Sequence, residues 1–224
     1  MIPWEFLESA PVPGGEAELG LYRRGEEYAI RVGNRELMNS RVHGSEEALA
    51  ELTCARTTGR PRLRILIGGL GMGFTLAAAL RGVGPDGRVV VAELVPGVVA
   101  WNRGYLAALA GCPLQDPRVA VHQGDVAEVI RADRQAFDAI LLDVDNGPEG
   151  LARKENDWLY SRPGLEAAHA ALRPLGLLAV WSSGPYPVFA QRLRRAGFAV
   201  DEVQVPARDS RKGRRHTIWL AGRG

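Results

Sequence analysis

Twelve residues, Arg64-Ile-Leu-Ile-Gly-Gly-Leu-Gly-Met-Gly-Phe-Thr75, constrain the chain more than any other stretch. The apolar run Ile65 to Ile67 passes directly into Gly68, Gly69, Gly71 and Gly73, and Leu76-Ala-Ala-Ala-Leu80 follows at once. That order predicts a buried parallel strand, a tight turn and the opening of a helix. In α/β folds such a turn is where backbone approaches a nucleotide or nucleoside closely, and a Cβ would obstruct both the turn and the ligand. Alone, the glycines are equally compatible with a tight β-to-α turn that holds nothing.

The remaining pattern supplies the context. Residues 1–15 are rich in Pro and Gly and read as an extended arm. Glu18–Arg23, Tyr28–Val32 and Glu36–Met38 read as a small antiparallel meander, with turn signals at Arg24-Gly25-Glu26 and Gly33-Asn34. Ser45-Glu-Glu-Ala-Leu-Ala-Glu-Leu52 reads as a helix with Ser45 as its N-cap. From residue 62 onward strands and helices alternate. Strands are expected at 62–67, 88–92, 119–122, 137–142 and 177–181. Helices are expected to about Arg81, from Pro96 to about Ala110, after Asp125, at 161–172 and at 187–196. Phe198–Val205 and His216–Ala221 form a terminal hairpin. The expected fold is α/β: a seven-stranded Rossmann-like sheet of the methyltransferase type with a small N-terminal β-meander. Residues 1–60 carry the arm, meander and helix, and residues 61–224 the cofactor-binding catalytic domain.

Right-handed crossovers bring the ends of these strands to one edge. The glycine turn, Glu93, Asp125, Asp143 and Ser182 are therefore neighbours. Glu93 lies 20 residues beyond Gly73, at the end of the second strand, where a carboxylate accepts hydrogen bonds from ribose hydroxyls. Asp125 follows the third strand, where it accepts from an adenine amine or caps a helix, and Val126 is placed to cover the ring. Three such features in order on successive strands point to an adenosine-containing ligand. The spacing Gly69-x-Gly71-x-Gly73 departs from Gly-x-Gly-x-x-Gly, which disfavours a nicotinamide dinucleotide.

Other classes are excluded by composition. A formal charge of +2 on 224 residues gives no reason to expect a nucleic-acid partner. The basic run Arg208–His216 lacks interleaved aromatics and reads as a solvated hairpin tip. Cys54 and Cys112 match no metal spacing and form no disulfide framework, and the four histidines show no ligand pattern, so no metal is expected. Neither a basic leader nor a long apolar run is visible, so the expected location is cytoplasmic, with no membrane partner.

Across roughly residues 17–200 the chain resembles the spermidine synthase (polyamine aminopropyltransferase) family. The resemblance runs through the meander, Ser45-Glu46…Glu51-Leu52, Ile67-Gly-Gly, Ala92-Glu93 and Gly124-Asp125. It continues through Phe137-Asp-Ala-Ile-Leu-Leu-Asp143, Gly147-Pro148, Leu159-Tyr160 and Leu172-Arg-Pro-Leu-Gly176. It implies a homodimeric transferase that binds decarboxylated S-adenosylmethionine, or S-adenosylmethionine itself, and passes an aminopropyl group to a small amine. Methyl transfer to a small molecule is the alternative. By the same resemblance Glu93 holds the ribose and Asp125 the adenine; with the turn glycines Gly68, Gly69, Gly71 and Gly73 and with Val126 they make the expected cofactor-binding set. Asp143, with Asp145 second, is the acid near the attacking amine. Glu46, Asn146, Trp158 and Tyr186 are the candidate substrate-binding residues. Gly71 stands where the family has an aspartate for the donor's amine, and Leu49 where it has a tyrosine.

Overall fold

The computed structural model describes residues 2–144, 157–207 and 215–224. Asp145, Asn146 and most of the basic run lie outside the described residues. Four N-terminal strands, β1 (Glu5–Pro11), β2 (Glu18–Arg24), β3 (Glu27–Val32) and β4 (Arg35–Asn39), form an antiparallel sheet in chain order. Helix α1 (Gly44–Arg56) then leads to β5 (Arg64–Gly68), α2 (Phe74–Gly82), β6 (Arg88–Glu93) and α3 (Pro96–Arg103). Next come β7 (Val119–Gln123), α4 (Val126–Ala132), β8 (Phe137–Leu142), α5 (Asp157–Tyr160) and α6 (Arg162–Ala171). The chain closes with β9 (Leu172–Ser182), α7 (Pro187–Arg195), β10 (Phe198–Pro206) and β11 (Arg215–Arg223).

The large sheet has seven strands in the order β10-β11-β9-β8-β5-β6-β7. β5 to β9 run parallel, and β11 pairs antiparallel with both β9 and β10. Because alternate residues of a strand face opposite ways, each central strand serves two cores. Ile65, Ile67, Ala139, Leu141, Ala179, Trp181 and Ile218 pack on the side of α1 and α2. Leu66, Ile140, Leu142, Leu178, Val180 and Trp219 pack on the side of α4, α6 and α7. Ala10, Leu19, Leu21 and Ile30 of the N-terminal sheet join the first of these cores.

The expected arm is in fact strand β1. It pairs with β2 from Glu5↔Arg23 to Pro11↔Glu18, and its Glu8 accepts the indole N–H of the buried Trp101 at 3.1 Å. Helix α3 ends at Arg103, well before Ala110, because Gly104 leaves helical geometry (φ −118°, ψ −104°); a separate 3₁₀ turn covers Ala107–Ala110. β9 begins at Leu172, five residues earlier than expected, because Leu172 already pairs with Phe137. Trp181 is buried in the core, as read from the sequence.

At the opposite end of the sheet from the glycine turn, a buried carboxylate ties the strands together. Asp138 accepts the backbone N–H of Arg64 at 2.8 Å and pairs with Arg173 at 2.9 Å and Arg60 at 3.3 Å. Arg60 also donates to the Leu175 carbonyl. Removing one partner of such a node strands a buried donor and two arginines, at a cost of about 2–4 kcal/mol. Asp138→Ala is therefore expected to lower the unfolding free energy by that amount, seen as a lower urea midpoint, while leaving ligand affinity intact, and paired denaturation and binding titrations check it.

Candidate active site

The glycine turn takes its shape from two constraints. Gly69, at φ +90°, donates its N–H to the Ala92 carbonyl at 2.9 Å, and a Cβ there would collide with the carbonyl oxygen of Asp143. The Asp143 N–H in turn reaches the Gly68 carbonyl at 2.9 Å, so turn and β8 end are locked backbone to backbone. Gly71, at φ +53°, faces the thioether of Met38 from β4; a Cβ would sit 3.3 Å from that sulfur. The N-terminal sheet thus reaches the turn at the position where an acid is absent. Gly73 closes the turn as the left-handed N-cap of α2.

Glu93 ends β6 and is 8% exposed. Its Oε2 accepts the Leu70 N–H at 2.9 Å and its Oε1 the Val95 N–H at 2.8 Å. Burial pushes its carboxyl up from the usual range, and the amides of Val95, Leu70, Gly71 and Leu94 oppose that shift. Asp125 is the N-cap of α4, its Oδ1 accepting the Ala127 N–H at 2.8 Å. Val126 is buried behind it, against the place a Gly68 Cβ would take. Glycine turn, Glu93, Asp125 and Val126 are thus gathered along one strand-end edge, as the strand order required.

Asp143 follows β8 on the same edge. Its Oδ2 accepts the hydroxyl of Thr75 at 2.6 Å, and that hydroxyl also lies 3.3 Å from the Glu46 carbonyl. Thr75 therefore joins the first turns of α1 and α2 to the acid. Loss of water raises the Asp143 carboxyl to about 6, against the opposing effect of the Thr75 hydrogen bond. Glu46 is pushed well above the carboxylate range, first by burial and then by the nearby carboxylates of Asp143 and Glu47. Among the described residues, no cation meets either Glu46 or Asp143. Two acids set side by side with little water favour a proton or a cation between them.

Two further candidates contact arginines. Trp158 stacks beneath the Arg131 guanidinium, 3.7 Å from the ring centroid, at the last turn of α4. Tyr186 caps α7 and meets Arg192, 5.7 Å from its ring centroid. Both also pack against the core on the side of α4, α6 and α7. Leu49 is wholly buried in the core and so is not part of the site. Ser45 does not cap α1: the cap is His43, with no side-chain bond, because the Ser45 hydroxyl points instead to His216 and Trp181. Sequence reasoning missed Thr75, Met38 and this Ser45 contact. Thr75 was signalled by its place two residues past the last glycine; Met38 and His216 reach the site only through tertiary packing.

The spermine/spermidine synthase domain family matches residues 47–186. A polyamine aminopropyltransferase of Nitrosomonas europaea is 34% identical over 142 residues, covering 62% of this chain and 42% of that protein. Polyamine aminopropyltransferase 1 of Streptomyces coelicolor is 30% identical over 153 residues, covering 65% of this chain and 28% of that protein. The alignments therefore span less than half of these relatives. Among solved structures, spermidine synthase from Thermotoga maritima superposes with a TM-score of 0.78 at 17% identity, over 98% of this chain and 73% of that one. A spermidine synthase in complex with the transition state analogue AdoDATO gives 0.75 at 18% identity, over 98% and 72%. At that identity the superpositions speak for the fold, Rossmann-like with an added N-terminal sheet. On the extent of the sequence match, the chain belongs to the spermine/spermidine synthase family.

Proposed function

We propose that this protein transfers an aminopropyl group from decarboxylated S-adenosylmethionine to a small amine. The observation that carries the reading is the pair Glu46 and Asp143, two desolvated acids held beside an adenosine-type wall. The donor set fits an adenosyl group. Each Glu93 oxygen spends one acceptor position on an amide and keeps another for a ribose hydroxyl. Asp125 likewise keeps Oδ2 for an adenine amine once Oδ1 has taken Ala127. A bound sulfonium would supply the electrophilic carbon and a good leaving group.

The chain's own residues do the rest. An alkylammonium has a pKa of about 10 and must lose a proton before nitrogen can attack carbon. Asp143, held in place by Thr75, accepts a hydrogen bond from the amine and takes that proton. Glu46 adds a second carboxyl that orients the ammonium and balances its charge. Glu46 and Asp143 are the described acids of this role; from sequence alone, Asp145 is assigned beside Asp143 and Asn146 to substrate binding. The protein is read as a homodimer working on small molecules rather than nucleic acid. No helix among the described residues is long and apolar enough to cross a membrane. No group of three or more His, Cys, Asp or Glu among them is placed to hold a metal.

One observation favours a second reading, methyl transfer from S-adenosylmethionine. Gly71 carries no acid for a donor amine, and Met38 occupies the space beside it. Calorimetry with both donors separates the two readings. Aminopropyl transfer expects tighter binding of the decarboxylated donor and a product heavier by one aminopropyl unit by mass spectrometry; binding of the carboxylated donor alone would sink it.

Two outcomes follow for Asp143. Asp143→Asn is expected to lower kcat by about 10²–10⁴-fold, measured at saturating donor. In the wild type, kcat/KM should rise with pH through an acid limb near 6, as Asp143 loses its proton. The stability effect runs the other way. A raised folded pKa favours the protonated form, so the contribution of Asp143 is fully present below about pH 4 and is lost as pH rises through about 6. Asp143→Asn should therefore stabilise the fold at pH 7 by about 1–2 kcal/mol, allowing for partial solvent screening at a half-buried group, and the gain should vanish below about pH 4 in thermal melts.

A further inference from the structure

The strand-end edge holds a buried polar knot that the transfer chemistry does not use. Ser45, His216 and Trp181 are 1%, 7% and 9% exposed. Ser45 Oγ lies 2.8 Å from His216 Nδ1 and accepts the Trp181 indole N–H at 3.0 Å. The imidazole meets the indole edge-on, with ring centroids 4.8 Å apart at 81°. The hydroxyl accepts from Trp181 and keeps both its proton and a second lone pair, so the direction of its bond to Nδ1 follows the imidazole tautomer. The knot joins the first turn of α1, the end of β9 and the start of β11.

Its position gives it a consequence beyond packing. A serine at a helix start ordinarily satisfies the helix's own free amides, yet α1 has no side-chain cap. That turn is held instead from outside. Ser45 fixes it to the sheet, and Thr75 Oγ1 approaches the carbonyl of the next residue, Glu46, at 3.3 Å. Between those two anchors the Glu46 backbone is held, through Thr75, to the Asp143 carboxyl. An uncapped helix start, free of its anchor, would carry Glu46 away from that contact.

We infer that Ser45 is a positioning residue acting through Glu46, with His216 and Trp181 as its anchors, so that the start of β11 helps to set the acid pair. This rests on the reading that Glu46 and Asp143 receive an ammonium group. The test is calorimetric titration of 1,4-diaminobutane into the full chain, a readout that does not depend on turnover. The wild type binds. Ser45→Ala and Glu46→Gln each weaken binding about tenfold, and the double variant is no weaker than either single one, since both remove the same contact. His216→Asn, which keeps a hydrogen-bonding atom near the place of Nδ1, retains the wild-type affinity. Should Ser45→Ala fail to fold, Trp181→Phe removes one anchor while keeping an aromatic ring, and weakens binding about threefold. Wild-type affinity in Ser45→Ala, or losses that simply add in the double variant, would overturn the role of Ser45. No binding by the wild type would overturn the ammonium reading itself, and with it this inference.

Discussion

The bonds from the Glu93 carboxylate to the amides of Leu70 and Val95 hold the site together. They cross-link the glycine turn to the end of the neighbouring strand. A carboxylate buried this deeply loses most of its hydration, and only converging amides make that tolerable. The turn therefore wraps around the acid, and its other contacts follow. Gly69 comes against the Asp143 backbone with no room for a Cβ, and Thr75 swings into reach of the Asp143 side chain. The carboxyls proposed for ribose binding and for catalysis are thus placed, with the start of α2, by one backbone path. In this reading Glu93 serves the fold and the ligand at once, because each of its oxygens can accept twice.

The acids at the strand ends are kept at a cost to stability. Asp138, at the far end of the sheet, is buried among arginines and a backbone amide, and it holds strands together. Among the described residues no such cation meets Asp143 or Glu46, and loss of water disfavours their charged forms. Desolvated acids of this kind are what is expected where function and stability compete. The missing acid at Gly71 belongs to the same picture. Met38 stands beside that position, and in the proposed reading the carboxyls that receive an ammonium come from α1 and β8 rather than from the turn.

The large sheet was legible because its signals are local. Apolar runs such as Phe137–Leu142 and turn glycines placed the strands, and strand order then placed Glu93, Asp125 and Asp143 on one edge. Elements decided by distant partners were not legible. β1 looked like an arm because Pro3, Pro11, Pro13, Gly14 and Gly15 in and around it hide a strand that needs β2 and Trp101 to form. Ser45 looked like a cap because nothing local reveals a histidine and a tryptophan waiting in the sheet. The resemblance supplied Glu46, but its closeness to Asp143 emerged only when Thr75 tied α1 to α2.

The central claim is that Glu46 and Asp143 form one receptor for an ammonium group beside an adenosyl-type wall. A crystal structure of the protein soaked with 5′-methylthioadenosine and 1,4-diaminobutane tests it most directly. The account predicts an amine nitrogen within about 3 Å of carboxylate oxygens of both Asp143 and Glu46, with the ribose on Glu93. A diamine bound elsewhere, with both acids left facing water, would contradict it.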